Sequence, residues 1–234
     1  MSAVQQPGPL IGAGRTADVF ALGSDRVLRR YRRGHSAEPE ASAMSHLAQA
    51  GFPVPRVYDA SGPDLVLERL DGQDMLADLT RRPWRARRHA QTLARLHDQL
   101  HAITAPPSLQ VLFGPGDRVL HLDLHPANVM LTSAGPVVID WNNVSAGAAA
   151  ADVAMAWLIM VTSEVEPSPP AWLRPALATI RATLVRRFRA LAGDDPGPEL
   201  ARVARARMTD PNIRPAEVAR LQAIADAASR ADGG

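Results

Sequence analysis

The hydrophobic pattern of this chain changes character at Asp71-Gly72, and that change limits the fold more than any other feature. Before it, short runs rich in Val, Leu and Tyr alternate with Gly, Pro and Asp, which is the pattern of strands joined by turns. Residues 10–20 read as strand, tight Gly turn and strand, residues 25–31 as a third strand, and 54–59 and 65–70 as two more. Between the third and fourth strands, 36–50 reads as a helix. Glu38 and Glu40 sit in its first turn, where the helix dipole favours them, and Met44 and Leu47 form its apolar stripe. After Gly72 the period becomes helical. Leu93, Leu96, Leu100 and Ile103 predict a long helix over 84–103, and 152–161, 176–192, 199–208 and 215–228 predict four more. The interruption is a short strand at 119–122 and a hairpin of 129–132 with 137–139. Sheet first and helices afterwards is an α+β arrangement.

A length of 234 residues suits one domain or a domain of two lobes. The absence of Cys rules out disulfides and thiolate metal sites, and fits a reducing compartment. The opening MSAVQQPGPL has no basic segment leading into an apolar one, so no signal peptide is expected. The longest apolar run, 153–161, is far below the about 20 residues of a membrane span. A cytoplasmic location with no membrane partner is therefore expected. No Lys occurs, so every one of the 26 basic residues is Arg, and this excludes the lysine-dependent Walker A loop. Net charge is only +2. The cluster Arg81, Arg82, Arg85, Arg87 and Arg88 reads as a solvated helix start, and no nucleic-acid partner is expected.

Residues 121–141, HLDLHPANVMLTSAGPVVIDW, crowd potentially reactive side chains between apolar runs. Three readings are open. On an extended strand His121, Asp123 and His125 would face one way, as zinc ligands do. For phosphoryl transfer, Asp123 supplies a base for an attacking hydroxyl, while Asn128 and Asp140 supply hard oxygen ligands for Mg2+. Loop capping accounts for Asp123 and Asn128 alone, since both residue types favour turns, but not for the whole set. His97 and His101, four apart, could be a second zinc pair, but no Glu lies between them as in HExxH, and packed helix histidines are the preferred reading. Asp152, within GAAAADVAMAWL, has so few polar neighbours in sequence that it must find a partner elsewhere.

HLDLHPAN followed by IDW resembles the catalytic loop and metal motif of the aminoglycoside phosphotransferase and choline kinase-like family, which has the protein-kinase-like fold. LIGAGRTADVF resembles that family's nucleotide loop, VLRRY its third strand, EASAMSHLAQAGFPVPRV its Glu-bearing helix, LVLERLDG its hinge and ADVAMA a helix start with a structural Asp. The resemblance covers about 10–160. It implies a two-lobed α+β fold, with an antiparallel-sheet nucleotide lobe at 1–70 and a mainly helical catalytic and substrate lobe at 71–234. It implies transfer of the γ-phosphate of ATP or GTP, with Mg2+, to a hydroxyl of a small molecule such as an aminoglycoside-like antibiotic, an amino alcohol or a sugar. Asp123 would be the base, and Asn128 and Asp140 the metal ligands. The nucleotide would be bound by Gly12, Ala13, Gly14, Arg15, Thr16, Val27, Arg29, Glu40, Glu68 and Leu70. His121 would shape the loop, His125 would pack it, and Asp152 would bond its backbone.

Two departures stand out. Leu122 replaces the family's usual Gly, and Arg29 stands where the nucleotide lysine belongs. Arg keeps the charge but is longer and forked. Two outcomes follow: an enzyme using Arg29, or a nucleotide-binding module without transfer. A polycationic acceptor would want an acidic pocket in the second lobe, and Glu164, Glu166, Asp194, Asp195 and Glu199, in loops there, could serve.

Overall fold

The computed structural model describes residues 7–14, 16–32, 35–164, 170–210 and 213–232. In chain order the elements are β1 (Leu10–Ala13), β2 (Ala17–Leu22), β3 (Arg26–Tyr31), α1 (Glu38–Gln49), β4 (Val57–Ser61), β5 (Asp64–Glu68), β6 (Gln73–Asp74), α2 (Met75–Arg81) and α3 (Ala86–His101). They continue with β7 (Val111–Phe113), β8 (Arg118–Leu120), β9 (Val129–Thr132), β10 (Gly135–Val138), β11 (Ser145–Gly147), α4 (Ala149–Thr162), α5 (Arg174–Leu191), α6 (Leu200–Arg207) and α7 (Pro215–Asp232). The chain divides into two compact units. One is Met1–Gln73 with Met130–Asn142, and the other is Asp74–Val129 with Asn143–Gly234. The hairpin strand β10 and the Asp140-Trp141 pair thus belong with the N-terminal sheet, although they lie far along the chain.

In the first unit, β1 to β5 form one antiparallel sheet in the order β1-β2-β3-β5-β4. The central strand β3 is buried on both faces. Leu28 is flanked by Phe20 and Val66, and Arg29 by Val19 and Leu65. α1 starts with Pro39 in its first turn, where the missing N–H costs nothing. It turns Glu40, Ala41, Met44 and Leu47 inward. It ends at Gly51, whose φ of +79° lets the chain reverse so that the Phe52 N–H reaches the Leu47 carbonyl at 2.9 Å. Phe52 then packs edge-on against the fully buried Trp141, ring centroids 5.7 Å apart. A small second sheet runs β10-β9-β6. Gly72 is required beside it, because a Cβ there would lie 2.3 Å from the Leu131 carbonyl oxygen.

The second unit is mainly helical. α2, absent from the sequence reading, is a seven-residue helix capped by Asp74, whose Oδ1 accepts the Ala77 N–H at 2.7 Å. α3 packs against α5, with the His97 ring on Phe188, and Leu93, Leu96 and Leu100 of α3 and Leu184 and Phe188 of α5 are buried. α4 is buried almost all round, as its composition implies. It joins α6, α7 and the small sheet β7-β11-β8 in a core that contains Phe113, Leu120, Leu122, Leu158, Val203 and Leu221. The arginine cluster is in part internally neutralised, since Arg82 and Arg85 both bond the buried Asp78. Among the described residues no helix is long and apolar enough to cross a membrane.

Candidate active site

Arg29 is a charged side chain on the central strand of a sheet, only 9% exposed, so it must be paired. Its fork bridges two carboxylates. Nη1 donates to Glu40 Oε1 at 2.9 Å and Nη2 to Asp140 Oδ1 at 2.6 Å. Glu40 also accepts the Trp141 N–H at 3.0 Å and the Tyr31 hydroxyl. Burial works against the Arg29 charge, but Glu40 and Asp140 outweigh it and hold its pKa above the ordinary guanidinium value. Burial pushes the Glu40 carboxyl up, and Arg29 and the Tyr31 hydroxyl pull against that push. The expected pairing of the α1 glutamate with the residue at the lysine position is therefore present, with a guanidinium in place of an ammonium. A single ammonium could not grip both carboxylates in the same fork geometry. Asp140 adopts φ +68°, a left-handed conformation that Asp tolerates better than most residues.

The Gly-rich turn is a hairpin. Gly12 and Ala13 pair opposite Val19 and Asp18, and the Gly14 N–H donates to the Ala17 carbonyl at 2.8 Å. Thr16 Oγ1 lies 3.4 Å from Asn142 Nδ2, and Arg15 lies outside the described residues. Val27 is half-buried on β3 between Ala21 and Leu67. Glu68 closes β5 with its N–H on the Arg56 carbonyl at 2.9 Å, and Leu70 follows, half-buried.

The second unit holds the loop after β8. The alternation expected of His121, Asp123 and His125 on an extended strand does not form, because Leu122 sits at φ +59° and turns the chain. His121 is fully buried and its Nδ1 accepts the Asp123 N–H at 3.2 Å. His125 Nδ1 accepts the Ala127 N–H at 3.3 Å, capping the 3-10 turn Pro126–Asn128, and its Nε2 lies 3.4 Å from Asp123 Oδ1. Among the described residues no group of three metal-ligating side chains of the zinc type comes together. The left-handed backbone explains why a Gly is usual at position 122. Leu122 is accommodated because its side chain, 7% exposed, joins the core around Leu120 and Leu158.

Asp123 is held by Asn128, whose Nδ2 donates to the Asp123 carbonyl at 2.9 Å and to Oδ2 at 3.0 Å. Burial raises the Asp123 pKa, but His125, His121 and the more distant Arg207 prevail and lower it, so the carboxylate stays ionised. With its amide nitrogen committed to Asp123, Asn128 keeps its Oδ1 as an acceptor. The Asp140 carboxylate is part exposed. Both are hard oxygen donors of the kind Mg2+ takes.

Asp152 does find partners. It accepts the Leu122 N–H at 2.6 Å, the His121 N–H at 3.2 Å, and a hydrogen bond from His101 Nε2 at 3.1 Å. His97 is not a ligand; its Nδ1 bonds the Leu93 carbonyl at 2.9 Å and its ring packs on Phe188. The sequence reading missed the role of His101 and of Asp194, which bonds its other ring nitrogen at 3.0 Å. The unpartnered look of Asp152 was the available signal. The acidic residues considered for a polycationic acceptor are engaged. Glu164 pairs with Arg220, Asp194 with His101 and Glu199 with Arg202, while Asp195 accepts the Gly197 N–H; Glu166 lies outside the described residues.

Solved structures share this fold. A thermostable mutant of an aminoglycoside phosphotransferase in its apo form aligns at TM-score 0.63 and 18% identity, over 97% of this chain and 94% of that one. A choline/ethanolamine kinase family protein from Mesorhizobium loti aligns at TM-score 0.55 and 16% identity, over 99% and 89%. An amicoumacin kinase in complex with AMP-PNP, Ca2+ and Ami aligns at TM-score 0.55 and 13% identity, over 94% and 87%. No curated protein matches the chain in sequence. Residues 8–113 and 103–191 match the model of the phosphotransferase enzyme family. With most of its length so matched, the chain belongs to the phosphotransferase enzyme family.

Proposed function

We propose that the protein transfers the γ-phosphate of ATP or GTP, as its Mg2+ complex, to a hydroxyl group of a small molecule in the cytoplasm. The observation that carries this reading is the Asp123 carboxylate, kept ionised and fixed by Asn128 and His125 in a loop whose backbone is tied to Asp152. Asp123 orients the acceptor hydroxyl and takes its proton as the oxygen attacks the γ-phosphorus. The bond to the β–γ bridging oxygen breaks, and the nucleoside diphosphate leaves. Asn128 and Asp140 would hold Mg2+, which when bound neutralises charge on the phosphates. The backbone around Gly12, Ala13, Gly14, Arg15 and Thr16 would cover the phosphates. Val27, Glu68 and Leu70 would frame the base, and Arg29, oriented by Glu40, would contribute positive charge. Relatives of this fold have been captured with AMP-PNP and hygromycin B or with AMP-PNP and Ami, which puts hydroxylated, amine-bearing molecules first among acceptors to try.

The test is a panel of aminoglycosides, other hydroxylated antibiotics, amino alcohols and sugars incubated with MgATP or MgGTP, with phosphorylated product read by mass spectrometry. A product dependent on Mg2+ and nucleotide supports the reading. Failure across the panel, with nucleotide still stabilising the protein in thermal melts, supports the second reading of a binding module without transfer. One observation favours that second reading: Arg29 holds Asp140 at 2.6 Å, so the cation must compete with a guanidinium for this carboxylate.

A further inference from the structure

His101, near the end of α3, is buried between two carboxylates from distant parts of the chain. Its Nε2 lies 3.1 Å from Asp152 Oδ2 on α4, and its Nδ1 lies 3.0 Å from Asp194 Oδ2 in the loop after α5. A neutral imidazole carries one N–H and would leave the other nitrogen's lone pair facing a carboxylate oxygen. Only the imidazolium donates to both. Asp194 is itself positioned from α3, because Asp98 Oδ1 accepts the Gly193 N–H at 2.9 Å. Among the described residues, the other titratable or charged groups acting on this cluster are His97 on the same helix, His121 in the loop after β8, and Arg118 on β8. The Asp98 carboxylate, also on α3, is bonded to the Gly193 N–H. On its inner side Asp152 holds the N–H groups of His121 and Leu122, the two residues before Asp123.

Resting on the phosphotransferase reading, we propose that His101 is a positioning residue: as an imidazolium anchored by Asp194, it fixes the Asp152 carboxylate, and through the His121 and Leu122 amides the backbone that presents Asp123. Burial acts against the His101 charge, but the two carboxylates prevail and raise its pKa to about 9. The charged form is therefore the resting form at neutral pH, and its loss on the alkaline side loosens the loop.

The experiment compares the full-length protein with Asp194→Asn, which keeps a hydrogen-bond acceptor and removes the charge at a part-exposed side chain. The His101→Gln variant serves as a second probe, and folding of each is checked by circular dichroism. Amide exchange at pH 8 is the first readout. Asp194→Asn is expected to lower the protection of the Leu122 and His121 amides by several-fold, while amides in β3 are unchanged. NMR titration of the His101 ring is expected to show its pKa lowered by about one unit, the usual effect of removing one nearby opposite charge. With an acceptor in hand, the alkaline limb of kcat moves down by the same unit and KM for nucleotide stays put. Unchanged Leu122 protection and an unchanged His101 titration overturn the proposal. A wild-type protein that phosphorylates nothing, yet shows the exchange and titration changes, overturns the phosphotransferase reading and leaves the anchoring intact.

Discussion

Replacing Arg29 with Met tests whether the buried network around β3 is organised as described. The substitution keeps an unbranched stem of similar length, so the cavity it leaves is small. It removes the cation between Glu40 and Asp140. Asp140 is part exposed and can rehydrate, whereas Glu40 is 4% exposed and cannot. Glu40 keeps the Trp141 N–H and the Tyr31 hydroxyl as partners, so the loss belongs at the low end of the ~3–5 kcal/mol cost of breaking a buried ion pair, about 3 kcal/mol. Arg29→Met with Glu40→Gln removes the stranded charge and leaves an amide oxygen for the Trp141 N–H. That double variant is expected within about 1 kcal/mol of the wild type, because an ion pair replaced by neutral groups of similar volume is often nearly neutral in stability. Glu40→Gln alone should cost about 1 kcal/mol, since Arg29 retains Asp140 and a hydrogen bond to the Gln oxygen. The cycle therefore predicts a coupling of about 3 kcal/mol or more, at the upper end of the range for residues in direct contact. Urea unfolding of the four nucleotide-free proteins, followed by far-UV circular dichroism, measures it. A neutral Arg29→Met, or a double variant whose loss is the sum of the single ones, would mean that Arg29 does not hold Glu40 in a coupled pair.

At position 122 the usual order of residues should invert. Leu122→Gly loses core burial but relieves a left-handed backbone, whereas Leu122→Ala loses burial and keeps the strain; urea unfolding should find the Gly variant more stable than the Ala variant by about 1 kcal/mol. Stability should also depend on pH through His101 and Asp152. The folded-state pKa of His101 is raised from 6.5 to about 9, so its contribution is complete below pH 6.5 and is lost as pH rises through 9, by roughly 3 kcal/mol in all. Asp152 is depressed, so its contribution is present above the ordinary carboxylate range and is lost only on strong acidification. Denaturation curves between pH 6 and 10 should show this alkaline loss in the wild type and a much flatter profile in His101→Gln; equal slopes would contradict it.

The sheet, the helix α1 and most later helices were legible because they are repetitive: strand alternation and helical spacing persist over enough residues to be read. The elements that escaped are short. β7 and β11 have three residues each and α2 seven, and none is long enough to show a period. Residue type and spacing singled out Asp123, Asn128 and Asp140, of which the structure joins Asp123 to Asn128 and Asp140 to Arg29, and the pairing of Arg29 with Glu40 was legible from the resemblance of VLRRY and the helix after it. What spacing could not carry was backbone conformation. Alternating His121, Asp123 and His125 suggest one face only if the chain is extended, and the left-handed Leu122 breaks that condition. Nor could it carry contacts between residues far apart. His101 meets Asp194 across 93 positions, and only the folded chain shows that two loop-like signals, a helix-end His and an exposed-looking Asp, belong to one buried cluster.

The proposed role of Asp123 is to accept the proton of the hydroxyl that attacks the nucleotide's γ-phosphorus. Single-turnover transfer from γ-labelled ATP to the acceptor found in the panel, in the wild type and in Asp123→Asn, with nucleotide affinity measured in parallel, reads that role. Asp123→Asn is expected to leave nucleotide affinity unchanged and to reduce the transfer rate by about 10²–10⁴-fold, the usual contribution of a positioned general base. Transfer at the wild-type rate by Asp123→Asn would contradict it.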